Sequence, residues 1–258
     1  MSAEQLVLQA IDGLPMVVPG DDIDRVIVSA LEKKSVDLMA GDVLVVAQKI
    51  ISKAEDRYVV LDNVDASDEA LRWAAEVDKD PRLVQLILDE STEVVRHRPG
   101  VMIVRHRLGF VHANAGIDRS NIEHPDGRER ALLLPLDANA SARRLRAALE
   151  YASGVAPLGV IISDSAGRAW RNGIAGFAIG AAGVPSMGCK IGEPDLFGRE
   201  LEVTETADAD ELASAASLLM GQGAEGKPLV MIRGWQWDAD AASDASVLIR
   251  PREQDLFR

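Results

Sequence analysis

The chain has a single cysteine, Cys189, so neither an intrachain disulfide nor a multi-cysteine zinc site is open to it. Cys189 is expected to be an inert small hydrophobe. Positive charge is also scarce. The 28 Lys and Arg stand against 41 Asp and Glu, and the formal net charge of -13 repels a nucleic-acid backbone, so nucleic acid is excluded as an expected partner. The first residues, Met1 to Leu6, lack the basic and long apolar regions of a signal peptide, and no apolar run reaches bilayer-spanning length. A soluble, cytoplasmic protein with no membrane partner is the expectation. There is no internal repeat, no G-x-x-x-x-G-K-[ST], no G-x-G-x-x-G after a strand and no G-x-S-x-G elbow. Both standard nucleotide-binding signatures and the common serine-hydrolase signature are therefore missing.

What is present is an ordinary globular composition, 47% hydrophobic and 27% charged, over 258 residues. That length suits one large domain or two small ones. The hydrophobic spacing from Asp21 to Lys34 predicts a helix with Ile23, Val26, Ile27, Ala30 and Leu31 on one face. The continuous apolar run Val43 to Ala47 reads as a strand buried on both sides, and it leads into the polar residues Gln48, Lys49, Ser52, Lys53 and Glu55. Ser67 to Val77 and the stretch from Asp80-Pro81 read as helices. Short β-like runs between Glu93 and Ala113 suggest a small antiparallel sheet. Ser141 to Tyr151 reads as a helix, Leu158 to Ser163 as a strand, and the Gly- and Ala-rich stretch Gly173 to Gly183 as a segment where backbones approach closely. Leu201 to Thr204 is expected as a strand, Asp208 to Met220 as a helix and Leu229 to Arg233 as a strand. Alternating helices and strands with a β-rich middle give an α/β or α+β fold of mixed and antiparallel sheets. The chain reads as one unit, 1–258, in which a β-rich subdomain of about 93–190 is inserted between 1–92 and 191–258.

Two short acidic segments carry the chemistry. Asp118 follows the sharp turn Asn114-Ala115-Gly116, and Asp164 ends an apolar strand, where carboxylates often meet ligands. Either acid alone also suits a turn or helix cap. With Asn121, Ser165, Arg119 and Arg168 they form a hard-oxygen set suited to Mg²⁺ or Mn²⁺ bridging phosphate oxygens. Lys53, just past a buried strand, reads as a phosphate contact or as a solvated surface lysine. The glycine-rich stretch Gly221 to Gly226 reads as a phosphate-facing turn or as an ordinary helix end. The histidines His97, His106, His112 and His124 lack metal-ligand spacing and are expected in structural or surface roles.

These residues carry a resemblance. Gly13-Leu14-Pro15, Gly41 to Val46, Ile51 to Glu55, Asn114 to Asp118, Asp164 to Arg168, Gly176 to Gly180, Asp195 to Thr204 and Leu219 to Gly221 occur in the order found in the coenzyme F-420-0:gamma-glutamyl ligases, the CofE family. The chain is similar to that family along nearly its whole length, and to the N-terminal ligase domain of fused actinobacterial members. The resemblance implies a GTP-dependent ligase that adds L-glutamate, and further γ-linked glutamates, to a deazaflavin phospholactate precursor. It also implies an intertwined homodimer. By the same resemblance Asp118 and Asp164 bind Mg²⁺ or Mn²⁺, Ser165 and Gln222 contribute to a second metal, and K⁺ is an optional further ion. GTP would contact Gly13, Leu14, Pro15, Met16, Gln48, Lys49, Lys53, Asn121 and the turn Met220, Gly221, Gln222, Gly223, Ala224, Glu225, Gly226 and Lys227. The catalytic set implied is Lys53, Asp118 and Asp164. Gln222 stands where some relatives have Glu, which removes a charge from the second metal site.

Overall fold

A computed structural model describes residues 5–255. In chain order the strands are β1 (Val7–Ala10), β2 (Val43–Ala47), β3 (Tyr58–Val60), β4 (Ser91–Arg98), β5 (Val101–His106), β6 (Val111–Ala113), β7 (Arg130–Leu132), β8 (Gly159–Arg168), β9 (Arg171–Ala182), β10 (Gly188–Cys189), β11 (Glu205–Thr206) and β12 (Leu229–Arg233). The helices are α1 (Ile23–Lys33), α2 (Gln48–Ala54), α3 (Asp68–Val77), α4 (Pro81–Asp89), α5 (Ala138–Ser153) and α6 (Asp208–Met220).

The main sheet has the order β1-β12-β2-β8-β9, with β2 and β8 parallel and the other neighbours antiparallel. Its two central strands are buried on both faces because side chains alternate sides along a strand. Leu44, Val46, Val160 and Ile162 enter a core with α1 and α5, whereas Val43, Val45 and Ile161 enter a second core with α6. Helices thus cover both faces of a mixed sheet. A third cluster packs the α3–α4 pair, through Ala70, Val84 and Ile87, against Met102 and Val104 of the sheet β4-β5-β6. The mixed helix-and-sheet architecture is the expected α+β class, and no described helix is long and apolar enough to cross a membrane.

Helix starts follow their caps. Ser67 accepts a hydrogen bond from Ala70 N, and Asp80 caps α4 ahead of Pro81. Helix α5 begins earlier than its apolar spacing suggests because Asp137 caps it through Ala140 N. Two expectations are corrected. Leu201 to Thr204 form no regular ladder, making only scattered backbone bonds such as Lys190 N to Thr204 O and Gly192 N to Leu201 O, and the strand there is the two-residue β11. Cys189, expected to pack as a small hydrophobe, is exposed, because the short β10–β11 pair stands away from the three cores.

Candidate active site

The parallel pairing of β2 with β8 stops where β2 ends, Ala47 opposite Ser163, and the polar residues beyond that point on both chain segments open onto one cleft. Ligands commonly gather beyond the carboxyl ends of parallel strands, where backbone leaves the sheet and side chains turn outward. The cleft has a volume of about 570 Å³, and four chain regions supply most of its lining, with Met16 and Ile174 added. Helix α2 supplies Gln48, Lys49 and Lys53, and β8 supplies Ser163, Asp164 and Ser165. The loop after the Asn114–Gly116 turn supplies Asp118, Ser120 and Asn121, and the stretch after α6 supplies Gly221 to Ala224, Gly226 and Lys227.

Local backbone fixes each contributor. Asn114, Ala115 and Gly116 have φ of 51°, 55° and 66°, a left-handed turn that reverses the chain after β6. Asp118 is then pinned by paired backbone bonds with Leu132, at 3.0 and 2.9 Å. Its Oδ1 accepts from Ser120 N at 2.6 Å and Ser120 Oγ at 2.7 Å, while Oδ2 lies 2.6 Å from Lys49 Nζ. Burial favours the neutral acid, but the Lys49 and Ser120 hydrogen bonds outweigh it and hold Asp118 below the usual carboxylate range. Lys53 is nearly buried, and Nζ donates to Asn121 O at 2.8 Å. Burial, and then the charge of Lys49, lower its pKa against the opposing charges of Glu123 and Asp118. Asn121 Nδ2 donates to Gly223 O at 3.1 Å, so the acidic loop and the glycine-rich turn are tied together. Gly221, at φ 74°, ends α6, and a side chain there would meet the Glu225 carboxylate.

Of the residues singled out in the sequence, Met16, Gln48, Lys49, Lys53, Asp118, Asn121, Asp164, Ser165, Met220, Gly221, Gln222, Gly223, Ala224, Gly226 and Lys227 share the cleft. Gly13, Leu14, Pro15 and Glu225 are not among its lining residues. Leu14 packs against the main core, and Glu225 turns back so that Oε2 accepts from Gly223 N at 2.8 Å. The backbone hydrogen bonds at Glu225 and Gly223 lower its pKa. Asp164 lies within β8, which runs on past it to Arg168 instead of ending there.

His112 of β6 does not line the cleft but faces Asp164 behind it, and the sequence does not reveal this contact. Its Nδ1 is 2.8 Å from Ala113 O, a carbonyl that can only accept, and its Nε2 is buried without a hydrogen bond 3.4 Å from Asp164 Oδ2. Burial alone would lower its pKa, yet the facing Asp164 carboxylate raises it. The signal was present only as a histidine one strand before the acidic loop.

The donor set fits a hard dication only in company with a ligand. Among the described residues no group of three or more His, Cys, Asp or Glu is placed to hold a metal. Two carboxylates with Ser165 and Gln222 oxygens beside two lysines instead match the way Mg²⁺ is held by one or two carboxylates plus phosphate oxygens.

Comparison with known proteins supplies the family. Residues 13–234 match the family model described as F420-0:Gamma-glutamyl ligase. The chain belongs to this family. A relative named "Coenzyme F420:L-glutamate ligase" from Methanothermobacter thermautotrophicus is 47% identical over 253 residues, covering 97% of this chain and 98% of that one. Relatives of the same name from Methanopyrus kandleri and Archaeoglobus fulgidus are 43% and 42% identical, covering 94% and 96% of this chain and 93% and 94% of theirs. In this ligase-family chain the acids Asp118 and Asp164, far apart in sequence, meet in one cleft with Lys49 and Lys53.

Proposed function

We propose that the protein is a GTP-dependent ligase that joins L-glutamate to coenzyme F-420-0 and then adds further γ-linked glutamates. The observation that carries this reading is the single cleft that gathers two carboxylates, two lysines and a glycine-rich turn in a chain of the F420-0:gamma-glutamyl ligase family. The relatives' names supply the substrate class.

The chemistry must bring an acceptor carboxylate onto a triphosphate, two anions that repel unless cations offset their charge. Lys53 has ammonium protons beyond its bond to Asn121 O and is placed as a point charge for a phosphate. Lys49 and the backbone of the Gly221–Gly226 turn face the same space. Asp118, Asp164, Ser165 and Gln222 would hold Mg²⁺ or Mn²⁺, which when bound supplies charge neutralisation at the phosphate oxygens. The acceptor carboxylate oxygen bonds to the γ-phosphorus as the bond to GDP breaks, giving an acyl phosphate. The glutamate amine nitrogen then bonds to the acyl carbon, phosphate leaves, and the amine loses its proton. The acids serve to place the reacting groups together, which by itself removes much of the barrier.

We also infer a homodimer. Trp170, at the tip of the β8–β9 hairpin, and Leu196, Phe197 and Val203, beyond β10, are at least 83% exposed, more apolar surface than projecting loops ordinarily show to water.

The function is tested by mass spectrometry after incubation with GTP, Mg²⁺ or Mn²⁺, L-glutamate and F-420-0, with each omitted in turn. A ladder rising by glutamate residues that needs all four is expected. GTP hydrolysis indifferent to glutamate and acceptor would point instead to a phosphohydrolase, and binding without product to a regulator.

A further inference from the structure

Both oxygens of Asp118 are engaged by the protein's own groups. Oδ1 takes the Ser120 N–H and hydroxyl, and Oδ2 faces the Lys49 ammonium. All three Lys49 protons have acceptors in reach: Asp118 Oδ2 at 2.6 Å, Ser120 O at 3.1 Å and Ser120 Oγ at 3.3 Å. The second acid is likewise faced by a basic group, His112 Nε2 at 3.4 Å from Asp164 Oδ2. Lys53, by contrast, donates one hydrogen bond, to Asn121 O. The two lysines sit one helical turn apart on α2 in different states, Lys49 fully occupied and Lys53 with donors to spare.

We propose that Lys49 is a stand-in cation that keeps Asp118 closed to a free divalent ion and moves to an incoming phosphate, so that the metal enters as its nucleotide complex. A dication approaching Asp118 alone meets an ammonium already seated on the carboxylate, and like charges at that distance repel. A phosphate arriving with the metal offers Lys49 a replacement anion, while the spare donors of Lys53 receive the same group. Lys49 thereby couples the two binding events, and the coupling is reciprocal as linkage requires. This inference rests on the metal and nucleotide reading given above.

The two are separated by Mn²⁺ titrations followed by electron paramagnetic resonance, with and without a non-hydrolysable GTP analogue. The proteins compared are the wild type, Lys49→Met, a second neutral variant Lys49→Gln, and Asp118→Asn. In the wild type, Mn²⁺ alone should bind weakly and the nucleotide should tighten it. Both Lys49 variants should bind Mn²⁺ alone about tenfold more tightly and the nucleotide about tenfold more weakly, so that the coupling falls away. Unchanged or weaker Mn²⁺ binding without nucleotide in the Lys49 variants would overturn the inference while leaving the metal site standing, provided Asp118→Asn loses Mn²⁺. If Asp118→Asn binds Mn²⁺ with nucleotide as the wild type does, the metal role of Asp118 itself fails, and the inference falls with it.

Discussion

A carboxylate in or beside a strand is a commonplace, and what distinguishes Asp118 and Asp164 is the company each keeps. Asp118 is held by Ser120 and Lys49, and Asp164 by its place on β8 opposite Phe177. Asp118→Asn and Asp164→Asn are each expected to lower turnover at least about a hundredfold with the far-UV circular dichroism of a folded chain, because each removes an anionic ligand for the metal that would offset the phosphate charge. Near-normal turnover in either would remove that acid from the mechanism. Lys53→Met should raise the KM for nucleotide about 10–100-fold, the worth of a charge-assisted hydrogen bond, in steady-state assays at saturating glutamate. At this scale the sequence was informative where chemistry is local: an acid after a left-handed turn and a lysine just beyond a buried strand both stand out in the text. His112 did not stand out, because its neighbour Asp164 is 52 positions later and only the packing of β6 beside β8 brings them to 3.4 Å.

At the scale of elements, the close approach of β9 to helices on both faces holds the site's strand in place. A side chain on Gly180 would lie 2.4 Å from the Ala138 backbone of α5, and one on Gly176 would lie 2.4 Å from Ala213 O of α6. Gly180→Ala should therefore destabilise the fold by about 1–3 kcal/mol in urea unfolding, the usual cost of overpacking, and an unchanged midpoint would contradict this packing. The composition of Gly173 to Gly183 made that closeness legible without saying that the segment is a strand, since glycine and alanine favour no periodicity. Electrostatics acts at the same scale around Glu90, which ends α4. Burial favours its neutral form, but His106, Arg107 and Arg57, at 3.4, 3.0 and 3.0 Å, outweigh it and bring the carboxyl from 4.5 to about 2. A depressed acid contributes stability that is complete above its unfolded pKa and lost as pH falls toward the folded one. That depression contributes on the order of 3 kcal/mol, lost between about pH 4.5 and 2. Acid unfolding of Glu90→Gln should show a flatter limb across that window, and an identical limb would mean that the network adds no pH dependence.

For the whole molecule, alternation of helices and strands was enough to give the fold class, because burial on one or two faces leaves a periodic trace. The order of the main sheet was not legible. It joins β1 and β12 from opposite ends of the chain beside β2, and the Asp42–Arg233 pair that clamps that edge spans 191 residues. No local pattern encodes such a pairing. The cleft depends on the same long-range arrangement, since Asp118 reaches Lys49 of α2, just past β2, while Asp164 lies on β8, and the β2–β8 pairing sets those two strands side by side. The exposed Trp170, Leu196, Phe197 and Val203 carry the homodimer inference, and light scattering coupled to size exclusion should give twice the chain mass. A monomer at micromolar concentration would contradict it. The central claim, that this cleft brings an acceptor carboxylate onto the γ-phosphorus of GTP, is tested most directly by labelling that carboxylate of F-420-0 with ¹⁸O and analysing the phosphate released during a single glutamate addition. One ¹⁸O atom in each phosphate is the predicted result. Phosphate carrying oxygen only from GTP and water would contradict the account.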